Sequence, residues 1–267
     1  MAEHSQIGWT EGTWNPWHGC TPVSAGCDNC YMMRDKERYG QDGTVVRRSK
    51  STFNDPIAWK APKMIFTCSW SDFFHEAADP WRQDAWEIIN ATPHHRYQIL
   101  TKRPQRILEC LPKDRKVFPN VWLGVSVENT KAIRRIAYFD RLERAHGYAF
   151  PVRFVSFEPL LERLDIDVLS RQYFESPYEW AIIGGESGNP SGRWAYRECD
   201  AQWLQELCDF HFNLGVKVFV KQTGTAIAKK YQLKTPHGTD LGNLPVHLSR
   251  INRQEMPADY MTWKYGH

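Results

Sequence analysis

The stretch KMIFTCSWSDFFHEAADPWRQDAWEIINATPHHRYQILT, residues 63–101, begins and ends on short apolar runs and carries an amphipathic segment between them. KMIFTCS (63–69) and RYQILT (96–101) predict strands, and PWRQDAWEIINAT (80–92) predicts a helix whose apolar positions recur with the helical period. A strand, a helix and a second strand in so short a span form a βαβ unit. Its strands run parallel, joined by a right-handed crossover.

The same alternation continues downstream. NVWLGVSV (120–127), VRFVSF (152–157), EWAIIGG (179–185) and VKVFVKQ (216–222) predict strands, while TKAIRRIAYFDRLERA (130–145) and DAQWLQELCDFHFNLG (200–215) predict helices. A short strand before Cys20 and a helix from about Asp28 to Tyr39 bring the count to six or seven units. The expected fold is α/β, a partial (open) TIM-type (β/α)6-7 barrel, because a closed eight-stranded barrel needs more chain. The barrel is expected to occupy residues 1–222, with an insertion at about 41–60 and a C-terminal extension, 223–267, packed on it.

Composition narrows the setting. The chain has 267 residues, of which 42% are hydrophobic and 24% charged, an ordinary globular balance. No apolar run approaches the length of a transmembrane helix, and the start, MAEHSQIGWTEG, lacks the basic and apolar regions of a secretory signal. A cytoplasmic location, in a bacterium or a phage-infected host, is therefore expected, and there the seven cysteines are not expected to pair as disulfides. A net charge of +3 is compatible with a nucleic-acid partner without requiring one. Twelve tryptophans exceed what a core of this size normally uses, so some are expected to line a pocket.

Polar residues gather where the predicted strands end. Ser69 and Asp72 follow the 63–69 strand, Thr101 and Lys102 the next, then Ser126 and Glu128, Glu158, Glu186 and Ser187, and finally Lys221 and Gln222. In parallel α/β folds these C-terminal ends form the rim where ligands bind. Helix capping and turn formation account for a share of such residues in any fold.

TWNPWHGCTPVSAGCDNCYM, residues 13–32, sets Cys20, Cys27 and Cys30 in the pattern C-x6-C-x2-C. Three thiolates do not fill a structural zinc site, although His18 would complete a Cys3His set, which fits the spacing equally well. Three thiolates on a [4Fe-4S] cluster leave one iron open to an exogenous ligand. That open iron is the logic of radical S-adenosylmethionine (SAM) enzymes. Polar strand ends favour the cluster, since a structural zinc site would explain none of them.

The resemblance extends past the cysteines. WNPWHGC, SAGCDNCY, SWSDFFH, ILTKRP, WLGVSVEN, SFEPLL, IIGGESG and FVKQTG, in that order over residues 7–224, resemble the radical SAM proteins of the phage Gp37/Gp68 family, DUF5131. The family is in turn similar to spore photoproduct lyase, which acts on thymine in DNA. The resemblance implies a [4Fe-4S] cluster on Cys20, Cys27 and Cys30, bound SAM, and an external electron donor such as flavodoxin or ferredoxin. It implies roles on the rim as well. Ser69 and Asp72 would meet the SAM amino group, Lys102 its carboxylate, and Ser126 and Glu128 its ribose diol. Two features depart from the commonest radical SAM pattern: the first spacer has six residues instead of three, and Asn29 stands where an aromatic residue is frequent, with Tyr31 just after as the adenine neighbour. Glu158, Lys221 and Glu186 are left for the substrate, Glu158 or Glu186 being the partner that Lys221 needs in an apolar strand. Phages of this family hypermodify thymidine, so the implied substrate is a modified thymidine in DNA, and the implied reaction a radical isomerisation of its amino-acid substituent. Lesion repair, RNA or nucleotide modification, and a zinc-built nucleic-acid-binding module are the alternatives. Arg47, Arg48 and Arg103 are the expected phosphate contacts, with Trp59, Trp70 and Trp194 as stacking candidates, and the chain is expected to be a monomer.

Overall fold

A computed structural model describes residues 3–266, so residues 1, 2 and 267 of the expected barrel and extension lie outside the described residues. Nine strands are described: β1 Gly12–Trp14, β2 Trp17–His18, β3 Arg47–Arg48, β4 Met64–Thr67, β5 Arg96–Thr101, β6 Val121–Ser126, β7 Val152–Leu160, β8 Trp180–Gly185 and β9 Lys217–Gln222. Seven of them form one sheet in the order β1-β4-β5-β6-β7-β8-β9, so strand order follows chain order. This is the topology of an open (β/α) barrel with seven strands, as expected.

The chain divides into two compact units. The first runs to Ser24 and includes Cys30–Val125 and Tyr138–Arg153; the second comprises Ala25–Asn29, Ser126–Ala137 and the chain from Phe154 onward. Within the first, β1, β4, β5 and β6 pair in parallel, with Thr13 opposite Phe66, Ile65 opposite Tyr97 and Ile99 opposite Leu123. Within the second, β7 pairs with β8 and β8 with β9, setting Val155 opposite Ala181 and Ile182 opposite Phe219. Every residue of β4, β6 and β8 is buried. Covered on both faces, such strands read as unbroken apolar runs instead of alternating ones.

Three local expectations change. The helix expected from Asp28 spans Tyr31–Arg38, because Ala25–Cys27 is a 3-10 turn. The single helix expected over 130–145 is a 3-10 turn at Thr130–Ile136, a short α-helix at Ala137–Asp140 and a π turn at Arg141–Ala145. Asn129 caps the first of these by accepting from the Ala132 amide at 3.0 Å, and the tight winding lets Arg135 reach back to the Ser126 carbonyl at 2.7 Å. Within 41–60, β3 pairs antiparallel with β2, Arg48 opposite Trp17 and Arg47 opposite His18, so this segment braces the approach to Cys20. Downstream, the amide of Val220 donates to Arg253 and that of Glu255 to Val218, which lays residues 253–255 along β9.

Tryptophan serves mainly as filling. Trp14, Trp17, Trp122 and Trp180 are fully enclosed, and Trp9, Trp59 and Trp86 are buried. His211, on the helix Ala201–Asn213, is enclosed too: its Nδ1–H donates to the Leu207 carbonyl at 2.7 Å and its Nε2 accepts from Tyr178 at 2.7 Å. Burial holds this imidazole neutral and pushes its pKa down to about 4. The unfolded chain, titrating near 6.5, then binds more protons between those values, so stability falls as pH drops through the window. His211→Gln removes that dependence. Urea unfolding at about pH 7 and about pH 5 is expected to show the parent losing about 2 kcal/mol more than the variant over the interval.

Candidate functional site

The Cys20 loop of the first unit is fixed on several sides. Gly19 adopts φ +94°, and a Cβ there would stand 2.3 Å from the Val45 carbonyl oxygen, so no other residue fits. Its carbonyl accepts from Ser71 Oγ at 2.5 Å, and the Cys20 amide donates to Gly43 at 3.0 Å. Asn15 ties the loop to the end of β4, donating to Ser69 Oγ at 3.0 Å and accepting from the Trp70 amide at 2.7 Å. Tyr31 donates from its phenol to the Ser69 carbonyl.

Arg103 is the centre of this loop. Its Nη1 lies 3.4 Å from Cys20 Sγ, and its Nη2 donates to the Thr21 carbonyl at 2.8 Å and to the Thr21 hydroxyl at 2.7 Å. Asp72 and Glu76 stand 3.6 Å away as counter-charges. Arg103, expected as a phosphate contact, is 3% exposed, and its donors reach Cys20 and Thr21. Asp72, expected to meet the SAM amino group, is enclosed as well. It is 5% exposed; Oδ1 accepts from the Phe74 amide at 3.0 Å and Thr101 Oγ1 at 2.7 Å, and Oδ2 from the Lys102 amide at 3.0 Å. A carboxylate so enclosed holds its neighbours in place, with three hydrogen bonds and the Arg103 charge as its partners. His75 Nδ1 accepts from the Ala77 amide at 3.1 Å, so Nε2–H donates to Thr21 Oγ1 at 3.0 Å and completes the cradle.

The second unit secures Cys27 by other means. Glu186, at the end of β8, accepts from Arg197 Nη2 at 2.5 Å, from Arg197 Nε at 3.0 Å and from Asn29 Nδ2 at 3.0 Å. Asn29 also donates to the Ala195 carbonyl at 2.7 Å, and Arg197 Nη1 to the Ala25 carbonyl at 2.9 Å, so one ion pair grips both ends of Ala25–Asn29. Burial pushes the Glu186 carboxyl up, but hydrogen bonds from Arg197 and Asn29 outweigh it and leave the pKa below the usual carboxylate value. Glu186 is therefore an anchor of the loop, where a substrate contact was expected. Glu128 is fully buried and holds Arg135 at 2.6 and 3.3 Å, and a Cβ on Gly26 would press its side chain at 3.1 Å. Ser126, expected with Glu128 to meet a ribose diol, is 1% exposed. Lys221 pairs with Glu158 at 2.6 Å, both half-buried, which settles the partner that β9 needed.

Arg47 and Arg48 are exposed. Arg48 donates to Asp84 at 3.2 Å, and its guanidinium sits 3.8 Å from the Phe53 ring centre. Trp59 is buried, while Trp70 and Trp194 are half-buried. Thr21, His75, Arg135 and Arg197 join the site without a signal in the sequence, because no local pattern marks the partner each one reaches, and Asn29, notable in the sequence only for its place before Cys30, joins them.

Among the described residues no three His, Cys, Asp or Glu side chains stand together as a metal-holding group. The donors match iron in kind. Cys20, Cys27 and Cys30 are half-exposed, whereas Cys68, Cys199 and Cys208 are buried. Burial pushes the thiols of Cys199 and Cys208 up to about 12 and raises those of Cys68 and Cys110, so all four resist becoming thiolates. His18 is held neutral, its pKa pushed down to about 4 by burial and by Lys36, and its Nδ1 is buried without a hydrogen-bond partner.

Comparison with known proteins places the chain. The family described as "Protein of unknown function (DUF5131)" matches residues 4–255, and the chain belongs to it. A search of curated proteins returned no match. Among solved structures, a tetrameric deoxyribose phosphate aldolase from Aeropyrum pernix is similar at 11% identity and a TM-score of 0.33, covering 82% of this chain and 77% of the aldolase.

The Glu186–Arg197 grip has a measurable consequence. Arg197→Met is expected to speed amide hydrogen exchange across 25–29 at least about tenfold, whereas Lys221→Met leaves that segment at the parent rate. Equal exchange in parent and Arg197→Met would show that the ion pair does not hold the loop.

Proposed function

We propose that this member of the DUF5131 family is a radical SAM enzyme acting on a modified thymidine in DNA. The observation that supports it best is the division among the cysteines. The three in C-x6-C-x2-C are half-exposed, Cys68, Cys199 and Cys208 are buried, burial raises the thiol of the half-exposed Cys110 as well, and the first cysteine of the motif has a guanidinium against its sulfur. Cys20, Cys27 and Cys30 would hold a [4Fe-4S] cluster, which together with bound SAM would supply a 5'-deoxyadenosyl radical for hydrogen abstraction. The chain's own residues hold and orient. Gly19, Arg103 and Thr21 fix the Cys20 strap, and Glu186, Asn29 and Arg197 fix that of Cys27. Ser69, Lys102 and Tyr31 keep accessible surface for the cofactor, while Asp72, Ser126 and Glu128 act from behind by holding backbone and neighbouring side chains. The half-buried Glu158–Lys221 pair, placed at the ends of β7 and β9, is the group able to hold or move a proton on a substrate.

Anaerobic reconstitution tests the class. About four irons per chain are expected, with a brown absorption that reduction bleaches. Cys20→Ala, Cys27→Ala and Cys30→Ala are expected to lose it and Cys110→Ala to keep it. Reduced protein with SAM is expected to release 5'-deoxyadenosine, and Lys102→Ala to bind SAM more weakly. Stoichiometric zinc without iron would instead identify a Cys3His site completed by His18.

The finer reading, isomerisation of an amino-acid substituent on thymidine, rests on the resemblance of the sequence motifs. Mass spectrometry of nucleosides, after incubating reduced enzyme and SAM with modified phage DNA, tests it when isomers are separated by retention time. Arg47→Ala and Arg48→Ala are each expected to weaken duplex binding and flatten its salt dependence by about one unit. Turnover on RNA or a free nucleotide with unchanged DNA would reject DNA as substrate.

A further inference from the structure

Arg103 is a costly residue to bury. A guanidinium at 3% exposure needs both counter-charge and hydrogen-bond acceptors. Asp72 supplies the first, yet its nearest approach is 3.6 Å, slightly farther than the 3.4 Å from the same Nη1 to Cys20 Sγ. The opposite edge of the fork is fixed by two contacts to Thr21, the residue next to Cys20. Asp72 is in turn fixed by the Phe74 and Lys102 amides and the Thr101 hydroxyl, so the whole arrangement is rigid on the side away from the sulfur. Glu76, the remaining acid nearby, is mostly exposed and screened by solvent. The result is a buried ion pair whose positive end faces a single cysteine sulfur.

On this geometry, and resting on the cluster reading above, we propose that Arg103 is a positioning residue that sets the reduction potential of a [4Fe-4S] cluster held by Cys20. An N–H donor and a positive charge at a ligand sulfur stabilise the reduced, more negative cluster, which raises the potential. Asp72 opposes this by drawing on the same Nη1. The two residues therefore act with opposite sign, a feature that general loosening of the loop would not produce.

The experiment compares parent, Arg103→Gln, Arg103→Lys and Asp72→Asn, each reconstituted anaerobically, counted for iron and titrated with redox dyes while the cluster absorption is followed. Arg103→Gln is expected to shift the midpoint downward by at least a tenfold change in the reduction equilibrium, about 59 mV for a one-electron couple. Arg103→Lys keeps the charge but loses the fork and is expected to recover part of that shift. Asp72→Asn is expected to move the midpoint upward. If the parent takes up no iron, the cluster reading fails and this inference with it. Midpoints that coincide among variants loaded with four irons overturn this inference alone, as do shifts of the same sign in Arg103→Gln and Asp72→Asn. Should Arg103→Gln fail to fold or load, Asp72→Asn decides: an upward shift supports the proposal, and an unchanged or lower midpoint rejects it.

Discussion

A carboxylate buried at the end of a parallel strand has to be paired, because leaving it ionised and alone in a low-dielectric interior costs several kcal/mol. This chain meets that constraint repeatedly. Asp72 after β4 faces Arg103 at 3.6 Å, Glu128 after β6 faces Arg135 at 2.6 Å, Glu186 after β8 faces Arg197 at 2.5 Å, and Glu158 within β7 faces Lys221 at 2.6 Å. Three of these acids are essentially enclosed. Each draws its base from a different segment, so the pairs pin together backbone that the sheet alone leaves unconnected.

Two of the pairs carry a cysteine strap. Arg103 turns from Asp72 toward Cys20, and Arg197 turns from Glu186 toward the carbonyl of Ala25, two residues before Cys27. Burial raises a thiol's pKa, as the four remaining cysteines show. Cys20, Cys27 and Cys30 are left half-exposed, and their neighbours Thr21, Asn29 and Ala25 carry the contacts to buried ion pairs, so the straps are anchored without being enclosed.

What the sequence revealed follows from which half of each interaction obeys a periodic rule. Strand segments were legible because β4, β6 and β8 are apolar without interruption, and the acids were legible because they stand just beyond those runs. Lys221 was legible too, as a lysine in an apolar strand that needs Glu158 or Glu186 beside it. Arg135 and Arg197 were not: they lie 7 residues from Glu128 and 11 from Glu186, separations that no local pattern encodes. The partner adds to the reading of the acid: Asp72, Glu128 and Glu186 stand out in the sequence as ligand candidates by position alone, and the structure shows each also holding an arginine. The helix expected over 130–145 was misread for a related reason. Its apolar spacing is helical, but the hold of Arg135 on Glu128 and on the Ser126 carbonyl accompanies a tighter 3-10 winding that periodicity cannot distinguish.

Arginine clusters show the limit most clearly. TKRPQR and VVRRSK look alike as runs of positive charge. Arg103 follows β5 and turns inward to a fixed acid and a sulfur, whereas Arg47 and Arg48 lie on an exposed two-residue ribbon, Arg48 lying over Phe53 and paired with the exposed Asp84. Only strand topology separates them. An arginine directly after a parallel strand faces the rim, where burial makes its charge strong and local; one on an exposed ribbon faces water, where its field is screened within about 10 Å. The same residue type is therefore locked to an acid and a thiol in one place and left at the surface in the other, and the fold, by deciding which side of each guanidinium is wet, decides between them.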